Sequence, residues 1–315
     1  MNWKEARTRL RGRHLLSLRD YMPEDIGFIL DLAAELKEEQ KNRIPHRHLE
    51  GKTLAMIFQK ASTRTRVSFE VGMFQLGGYA LYLNSQDLQM GRGEPVRDTA
   101  LTLSRYVDGI MIRTFSQDEV EELAGYAGVP VINGLTDTFH PCQALADLLT
   151  VREKKGSLKG VKLAYFGDGN NVAHSLLLGG SRVGMKIVVC TPSNYEPHVE
   201  VVNWAKEMAA ETGGEVEVTT NPIDAARESD VLYTDVWASM GQEAEQQQRR
   251  SRLQNYQVNR ELLDEAAANA VVMHCLPAHR DEEISAEVMD SPASVIFDQA
   301  ENRLHTQKAL MALVM

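Results

Sequence analysis

Phe58-Gln59-Lys60-Ala61-Ser62-Thr63-Arg64-Thr65-Arg66 follows an apolar run, Thr53 to Phe58. It leads into Val67, Val71 and Phe74, which recur at i, i+4 and i+7 as on one face of a helix. Ser62 to Arg66 therefore falls where a strand turns into a helix N-terminus. Such an end presents unpaired backbone N–H groups and the positive pole of the helix dipole, and both attract an anion. Glu or Gln three residues after Ser62 would complete a capping box, but Thr65 stands there. The helix's first donors are thus expected to stay open to a ligand. Three hydroxyls and two guanidiniums within five residues add charge-assisted donors. Taken alone, the same residues also describe a Ser cap followed by two solvated arginines.

Working outward, Asp20 to Gln40 reads as a helix with Ile26, Ile29, Leu30, Ala33 and Leu36 on one face. Gly77-Gly78 ends the helix after Ser62, and Tyr79 to Leu83 reads as a strand. Gln86 to Arg97 is polar and reads as a loop, and Asp98 to Tyr106 as a helix. Gly109 to Arg113 and Val129 to Asn133 are short buried strands, and the loop after the second carries His140. Ala144 to Arg152 is helical, and the charged connector Lys154 to Gly160 marks a domain junction. The second half then alternates strands with helices: Val161 to Phe166, Lys186 to Cys190, Val216 to Thr219, Val231 to Thr234 and Val271 to Met273. The expected class is α/β, with two domains, each a mainly parallel sheet flanked by helices. Ligands then belong at the carboxyl ends of strands. Gln242 to Asn255, with three consecutive glutamines, reads as a mobile loop, its alternative being a plain exposed helix.

Length and composition agree. A chain of 315 residues accommodates two domains of ordinary size, and 43% hydrophobic with 25% charged residues is a soluble globular composition. A net charge of −10 argues against general nucleic-acid affinity, so the basic loop is a local feature of an acidic body. Cys142, Cys190 and Cys275 form no C-x-x-C pair and read as free thiols. The basic N-terminus (Lys4, Arg7, Arg9, Arg11, Arg13) lacks an apolar core and reads as a solvated tail, not a secretory signal. No apolar run approaches the roughly 20 residues that span a bilayer. A cytoplasmic location is expected.

Gly167-Asp168-Gly169 after a strand suggests a dinucleotide fingerprint, but Val172 occupies the third glycine position, so the motif is incomplete. Asn170-Asn171 suits amide recognition of a small polar ligand. Arg113 ends an apolar strand and would be costly to bury unless it met an anion. A carboxylate and a hydroxyl at Asp235 and Ser239 could hold an ammonium. His274-Cys275 has no second Cys/His pair at metal-ligand spacing.

Ser62 to Arg66, His140-Pro141-Cys142-Gln143, Asp235 to Gly241 (DVWASMG) and His274-Cys275-Leu276-Pro277 together resemble the aspartate/ornithine carbamoyltransferase family. The resemblance runs from about His14 to the C-terminus, and its last two motifs are similar to the ornithine branch. Ala61 departs from the proline that often precedes the family's loop. The resemblance implies a carbamoyl-phosphate domain over 1–152, with the helix 302–315 returning to it, and an ornithine domain over 153–301. It places Ser62, Thr63, Arg64, Thr65, Gln89, Arg113, His140, Gln143, Cys275, Leu276 and Arg303 around carbamoyl phosphate. It implies that Gln89 is donated across a subunit interface of a homotrimer. It places Asn171 at the α-carboxylate of ornithine, with Asp235, Ser239 and Met240 completing that pocket. Arg113, His140, Cys275 and Arg303 are the catalytic set it implies, with no covalent intermediate at Cys275, no cofactor and no metal. Aspartate would need extra cationic groups where Asp235 stands, and putrescine has no α-carboxylate for Asn171. A non-catalytic member that binds these ligands to regulate a partner is the alternative from another class.

Overall fold

The computed structural model describes residues 3–238 and 246–315, and these form two compact units. The first comprises residues 1–149 and 301–315, the second residues 150–300. The boundaries fall inside two helices, Pro141–Lys155 and Ile296–Val314, so each helix is shared along its length between the units.

In the first unit the elements run α1 (Trp3–Leu10), α2 (Pro23–Lys41), β1 (Thr53–Phe58), α3 (Thr63–Gln75), β2 (Tyr79–Asn84) and α4 (Val96–Leu103). They continue as β3 (Gly109–Arg113), α5 (Gln117–Tyr126), β4 (Val131–Leu135) and α6 (Pro141–Lys155). The four strands pair in parallel in the order β2-β1-β3-β4. β1 and β3 are almost wholly buried, as expected of short apolar strands covered on both faces. Ala55, Ile57, Ile110, Ile112 and Val131 pack with Val120 and Leu123 of α5.

The basic N-terminal segment is not a solvated tail. It folds as α1, burying Ala6 and Leu10 completely. Arg9 and Arg13 pair with the buried carboxylate of Asp25, the latter at 2.8 Å, and Asp25 also accepts from Met22 N at 2.9 Å. Two of the positive charges thus have a partner elsewhere in the chain, while Arg9 and Arg11 stay exposed.

The second unit contains β5 (Lys162–Phe166), α7 (Asn171–Arg182), β6 (Lys186–Cys190), α8 (Val199–Thr212), β7 (Glu215–Thr219), α9 (Pro222–Ala226) and β8 (Val231–Thr234). It continues with α10 (Gln246–Leu253), α11 (Arg260–Glu265), β9 (Val271–His274), α12 (Ala286–Met289) and the start of α13 (Ile296–Val314). Its five strands are again parallel, in the order β7-β6-β5-β8-β9. The segment read as a mobile loop is helical over Gln246–Leu253, and its four preceding positions lie outside the described residues.

The end of α13 closes the first unit. Lys308, fully buried, donates from Nζ to Gln75 Oε1 (2.9 Å) and Gln40 Oε1 (3.0 Å), and lies 3.1 Å from His46 Nε2. Lys37 Nζ donates to Asn302 Oδ1 at 2.7 Å, and Gly12 N to Val314 O at 2.8 Å. The C-terminal helix thus returns to the first domain. In each sheet the strand order reverses once beside the unit's first strand, at β1/β3 and at β5/β8. Open parallel sheets form their ligand crevices at such points, outside the carboxyl ends of the strands.

Candidate active site

The neighbouring strands β1, β3 and β4 deliver their carboxyl ends to one edge of the first unit's sheet. β1 leads to Ser62, β3 ends at Arg113, and β4 leads through 136–139 to His140. Ser62 caps α3, its Oγ accepting from Thr65 N at 3.2 Å, so the helix does satisfy one of its own donors. Thr65 is buried and receives Arg303 Nη2 on its hydroxyl at 3.3 Å, while Arg303 Nη1 donates to Gln143 Oε1 at 2.7 Å. Gln143 Nε2 in turn donates to Asp147 Oδ1 at 2.8 Å, which fixes the amide's orientation. His140, Arg113, Gln143 and Arg303 are all less than 10% exposed. Burial, then the charges of Arg303, Arg113 and Arg64, hold the pKa of His140 well below its ordinary 6.5. A neutral imidazole ringed by three guanidiniums suits an anion that carries a polar, uncharged carbonyl. The second guanidinium of the opening motif turns elsewhere: Arg66 pairs with Glu70 at 3.0 Å and lies 3.8 Å over the Tyr82 ring. Cys142, buried on α6, has its thiol pushed up to about 12 by burial, which makes it an inert packing residue.

In the second unit the neighbouring strands β5, β8 and β9 play the same part. β5 ends in Gly167-Asp168-Gly169-Asn170. Gly167 has φ +136°, and a Cβ on Gly169 would stand 2.2 Å from Pro197 N. Both glycines are thus required by the backbone's own path and by the close approach of 196–197, without any dinucleotide. Asn170 caps α7, its Oδ1 accepting from Val172 N (2.9 Å) and Ala173 N (3.2 Å). Its Nδ2 donates to Asp235 Oδ2 at 2.8 Å, across from the end of β8. Asp235 Oδ1 accepts from Cys275 Sγ at 2.8 Å and from Val236 N at 2.8 Å. A single buried carboxylate is therefore oriented by an amide, a thiol and a backbone N–H.

Asp235, His274 and Cys275 lie close enough to share a cation. Their atoms are committed otherwise: His274 Nδ1 accepts from Leu276 N at 2.8 Å, and Nε2 faces Glu283 Oε1 at 3.0 Å. Leu276 adopts a left-handed φ of +61°, held by that bond to His274.

Likeness to known proteins decides the family. The model of the aspartate/ornithine carbamoyltransferase carbamoyl-P binding domain matches residues 13–153, and that of the Asp/Orn binding domain matches residues 159–314. The chain belongs to the aspartate/ornithine carbamoyltransferase family. It is 60% identical over 306 residues to the ornithine carbamoyltransferase of Thermococcus kodakarensis, covering 97% of both chains. It is likewise 60% identical to a Pyrococcus furiosus protein named ornithine carbamoyltransferase, anabolic, again covering 97% of each. A solved ornithine carbamoyltransferase from Pyrococcus furiosus superposes with a TM-score of 0.95 at 60% identity, covering 97% of this chain and 98% of that one.

Measured against the residues that resemblance to the carbamoyltransferase family picks out, Ser62, Arg64, Thr65, Arg113, His140, Gln143 and Arg303 fold with the first unit; the charges of Arg64, Arg113 and Arg303 act on the buried His140, and Thr65 and Gln143 accept from Arg303. Thr63 is exposed at the first turn of α3. Gln89 is exposed in the 3-10 turn Gln89–Arg92 and takes no part in the Arg303 network. Asn171, Asp235, Cys275 and Leu276 fold with the second unit. Ser239 and Met240 lie outside the described residues. Sequence reasoning missed Asn170 as the residue that orients Asp235. Its signal was present, an Asn at a strand end two positions before an apolar helix run, but an N-cap does not announce a second partner 65 positions away.

Proposed function

We propose that this chain is an ornithine carbamoyltransferase. It transfers the carbamoyl group of carbamoyl phosphate to the δ-amine of L-ornithine, giving L-citrulline and phosphate. The observation that carries the reading is the buried, neutral His140 among Arg64, Arg113 and Arg303. Three cations answer the dianionic phosphate, and a neutral ring donates to the carbonyl oxygen without competing for the phosphate's charge. We assign carbamoyl phosphate to residues 1–152 with 302–315 and ornithine to 153–301, a division that the compact units 1–149 with 301–315 and 150–300 support.

In this reading Ser62, Thr63, Arg64 and Thr65 hold the phosphate at the N-terminus of α3, with Gln89 supplied by the neighbouring subunit of a homotrimer. Arg113, His140, Thr65 and Arg303 direct donors at the carbonyl oxygen, and Gln143 and Leu276 hold the carbamoyl amide. Removing one oxyanion donor typically costs ~2.7–4 kcal/mol of transition-state stabilisation. In the second unit Asn171 takes the α-carboxylate of ornithine, and Asp235, with Ser239 and Met240, the α-ammonium. Cys275 stands beside the attacking amine and forms no bond to carbon. The δ-amine, with an ordinary pKa of about 10.4, must first shed a proton. Its nitrogen then bonds to the carbonyl carbon, the C–O bond to phosphate breaks, and phosphate leaves with that electron pair and takes up the amine's surplus proton. Orientation of two bound substrates makes the attack intramolecular in effect. The reaction needs no cofactor or metal. Arginine biosynthesis in the cytoplasm is the setting we assign to it.

A colorimetric citrulline assay with carbamoyl phosphate and a panel of ornithine, aspartate and putrescine tests the reading. Citrulline from ornithine alone is the expected result; carbamoyl-aspartate without citrulline would overturn it.

A further inference from the structure

Arg303 reaches the first unit's site from the middle of α13 and is buried there. A long cation in such a place needs acceptors to hold its plane. Two of them are Thr65 and Gln143, both assigned to carbamoyl phosphate, so those bonds must be shared with the ligand. A third is Gln307, one helical turn further along the same face of α13 and equally buried. The Gln307 amide is oriented by its neighbours. Ser68 Oγ gives its proton to Arg64 O at 2.7 Å, so towards Gln307 it can only accept. The Gln307 nitrogen donates to that hydroxyl at 2.5 Å, and the Gln307 oxygen accepts from Arg303 Nε (3.2 Å) and Nη2 (3.0 Å).

Gln307 thus grips the guanidinium side-on, along its Nε–Nη2 edge, while Nη1 goes to Gln143. Through Ser68 the same amide is tied to the first turn of α3, which carries Thr63, Arg64 and Thr65. The next residue, Lys308, donates to Gln75 at the far end of α3 (2.9 Å), so attachment of one helix to the other does not depend on Gln307 alone. A buried amide costs free energy unless it is satisfied, and a methionine would fill a similar volume without that demand. What the amide adds is a fixed acceptor for Arg303, on a residue that is not itself assigned to substrate. From this arrangement we propose that Gln307 is a positioning residue for Arg303. It holds the guanidinium in its plane while the bonds to Thr65 and Gln143 are exchanged for bonds to carbamoyl phosphate. The proposal rests on the carbamoyl-phosphate reading of the first unit's site.

The experiment compares Gln307→Met, Gln307→Glu, Ser68→Ala, Arg303→Ala and the Arg303→Ala/Gln307→Met double variant with the wild-type full chain. It reads carbamoyl-phosphate binding by calorimetry, kcat and the two KM values from citrulline formation, and thermal unfolding. Gln307→Met is expected to lower kcat/KM for carbamoyl phosphate by roughly 10- to 100-fold, the scale on which small misplacements act. Its KM for ornithine should stay within about twofold, as for a site independent of the change. In the Arg303→Ala background the same substitution should change carbamoyl-phosphate affinity by less than about twofold, because there is no guanidinium left to place. Gln307→Glu separates position from charge. It keeps the acceptor, so kcat should stay within about threefold of wild type, while the added negative charge raises KM for carbamoyl phosphate by about tenfold or more. A Gln307→Met enzyme indistinguishable from wild type would overturn the proposal. So would a loss that persists undiminished without Arg303, which would mean that Gln307 acts through helix packing, or a Gln307→Glu enzyme whose kcat falls as far as that of Gln307→Met. Should Gln307→Met fail to fold, Ser68→Ala decides, since it unties the amide without touching Arg303. A loss of carbamoyl-phosphate affinity of about three- to tenfold, the worth of one hydrogen bond, supports the proposal, and unchanged affinity refutes it. A wild-type chain that binds no carbamoyl phosphate would bring down the functional reading itself, an outcome visible before any variant is made.

Discussion

In the first unit three arginines surround one neutral histidine, whereas in the second an amide, a thiol and a backbone N–H surround one carboxylate. The scaffolds under them are alike. Each is a parallel sheet whose three adjacent strands present their carboxyl ends to one crevice, β1-β3-β4 in one unit and β5-β8-β9 in the other. What differs is the chemistry at the strand ends, so architecture alone assigns neither ligand. The contrast also explains how one chain handles two substrates of opposite demand. In the proposed reading a dianion is met by fixed positive charge and helix-end donors, and an amino acid by a carboxylate that an amide, a thiol and a backbone N–H keep in place.

The sharpest way to break this comparison is to remove charge from each side in turn. Arg64→Ala should lower kcat/KM for carbamoyl phosphate by about 10²–10³, losing binding and turnover together, because it deletes a charge-assisted donor on a dianion. Calorimetry that found carbamoyl phosphate binding intact in that variant would remove Arg64 from the anion site. On the other side, Asp235→Asn should cost about 10²-fold in kcat/KM for ornithine, on the scale of truncating one partner of a hydrogen-bonded charge pair. Carbamoyl phosphate binding should survive it. Equal loss of both ligands would mean that the two sites are not chemically separate.

A smaller effect sharpens the comparison through pH. Burial and the neighbouring arginines depress His140, and burial followed by the charges of Lys308 and Lys37 lowers His305 to about 3. Unfolded, each imidazole takes up a proton near pH 6.5; folded, neither does in that range. The unfolded chain then binds more protons, so these groups cost no stability above about pH 6.5 and destabilise progressively as pH falls below it. Urea midpoints should decline between about pH 6.5 and 5. Histidine NMR should show the His140 ring, identified by its loss in His140→Asn, still neutral at pH 5.5. An imidazolium titrating near 6.5 at that position would contradict the arrangement in the first unit. Turnover at low ornithine should meanwhile rise with pH from neutrality, by up to about tenfold per unit, as the δ-amine deprotonates.

The sequence by itself determined the features that a few consecutive residues encode. Alternating apolar strands and amphipathic helices specify the two parallel sheets, because burial on both faces demands short continuous apolar runs. Ser62 to Arg66 specifies a strand-to-helix turn with anion-binding donors, because caps and helix ends are local. Only the tertiary structure decided which charges converge. Arg303 reaches Gln143 and Thr65 across 160 and 238 positions of chain, and Asn170 reaches Asp235 across 65. It also turned Arg66 away to Glu70 and Tyr82, and drew the basic N-terminal segment into a helix tied to Asp25. A local pattern cannot carry such information: a charged side chain looks alike in sequence whether water or a distant partner solvates it. The difference is set by desolvation and Coulomb terms that exist only once the chain has closed on itself.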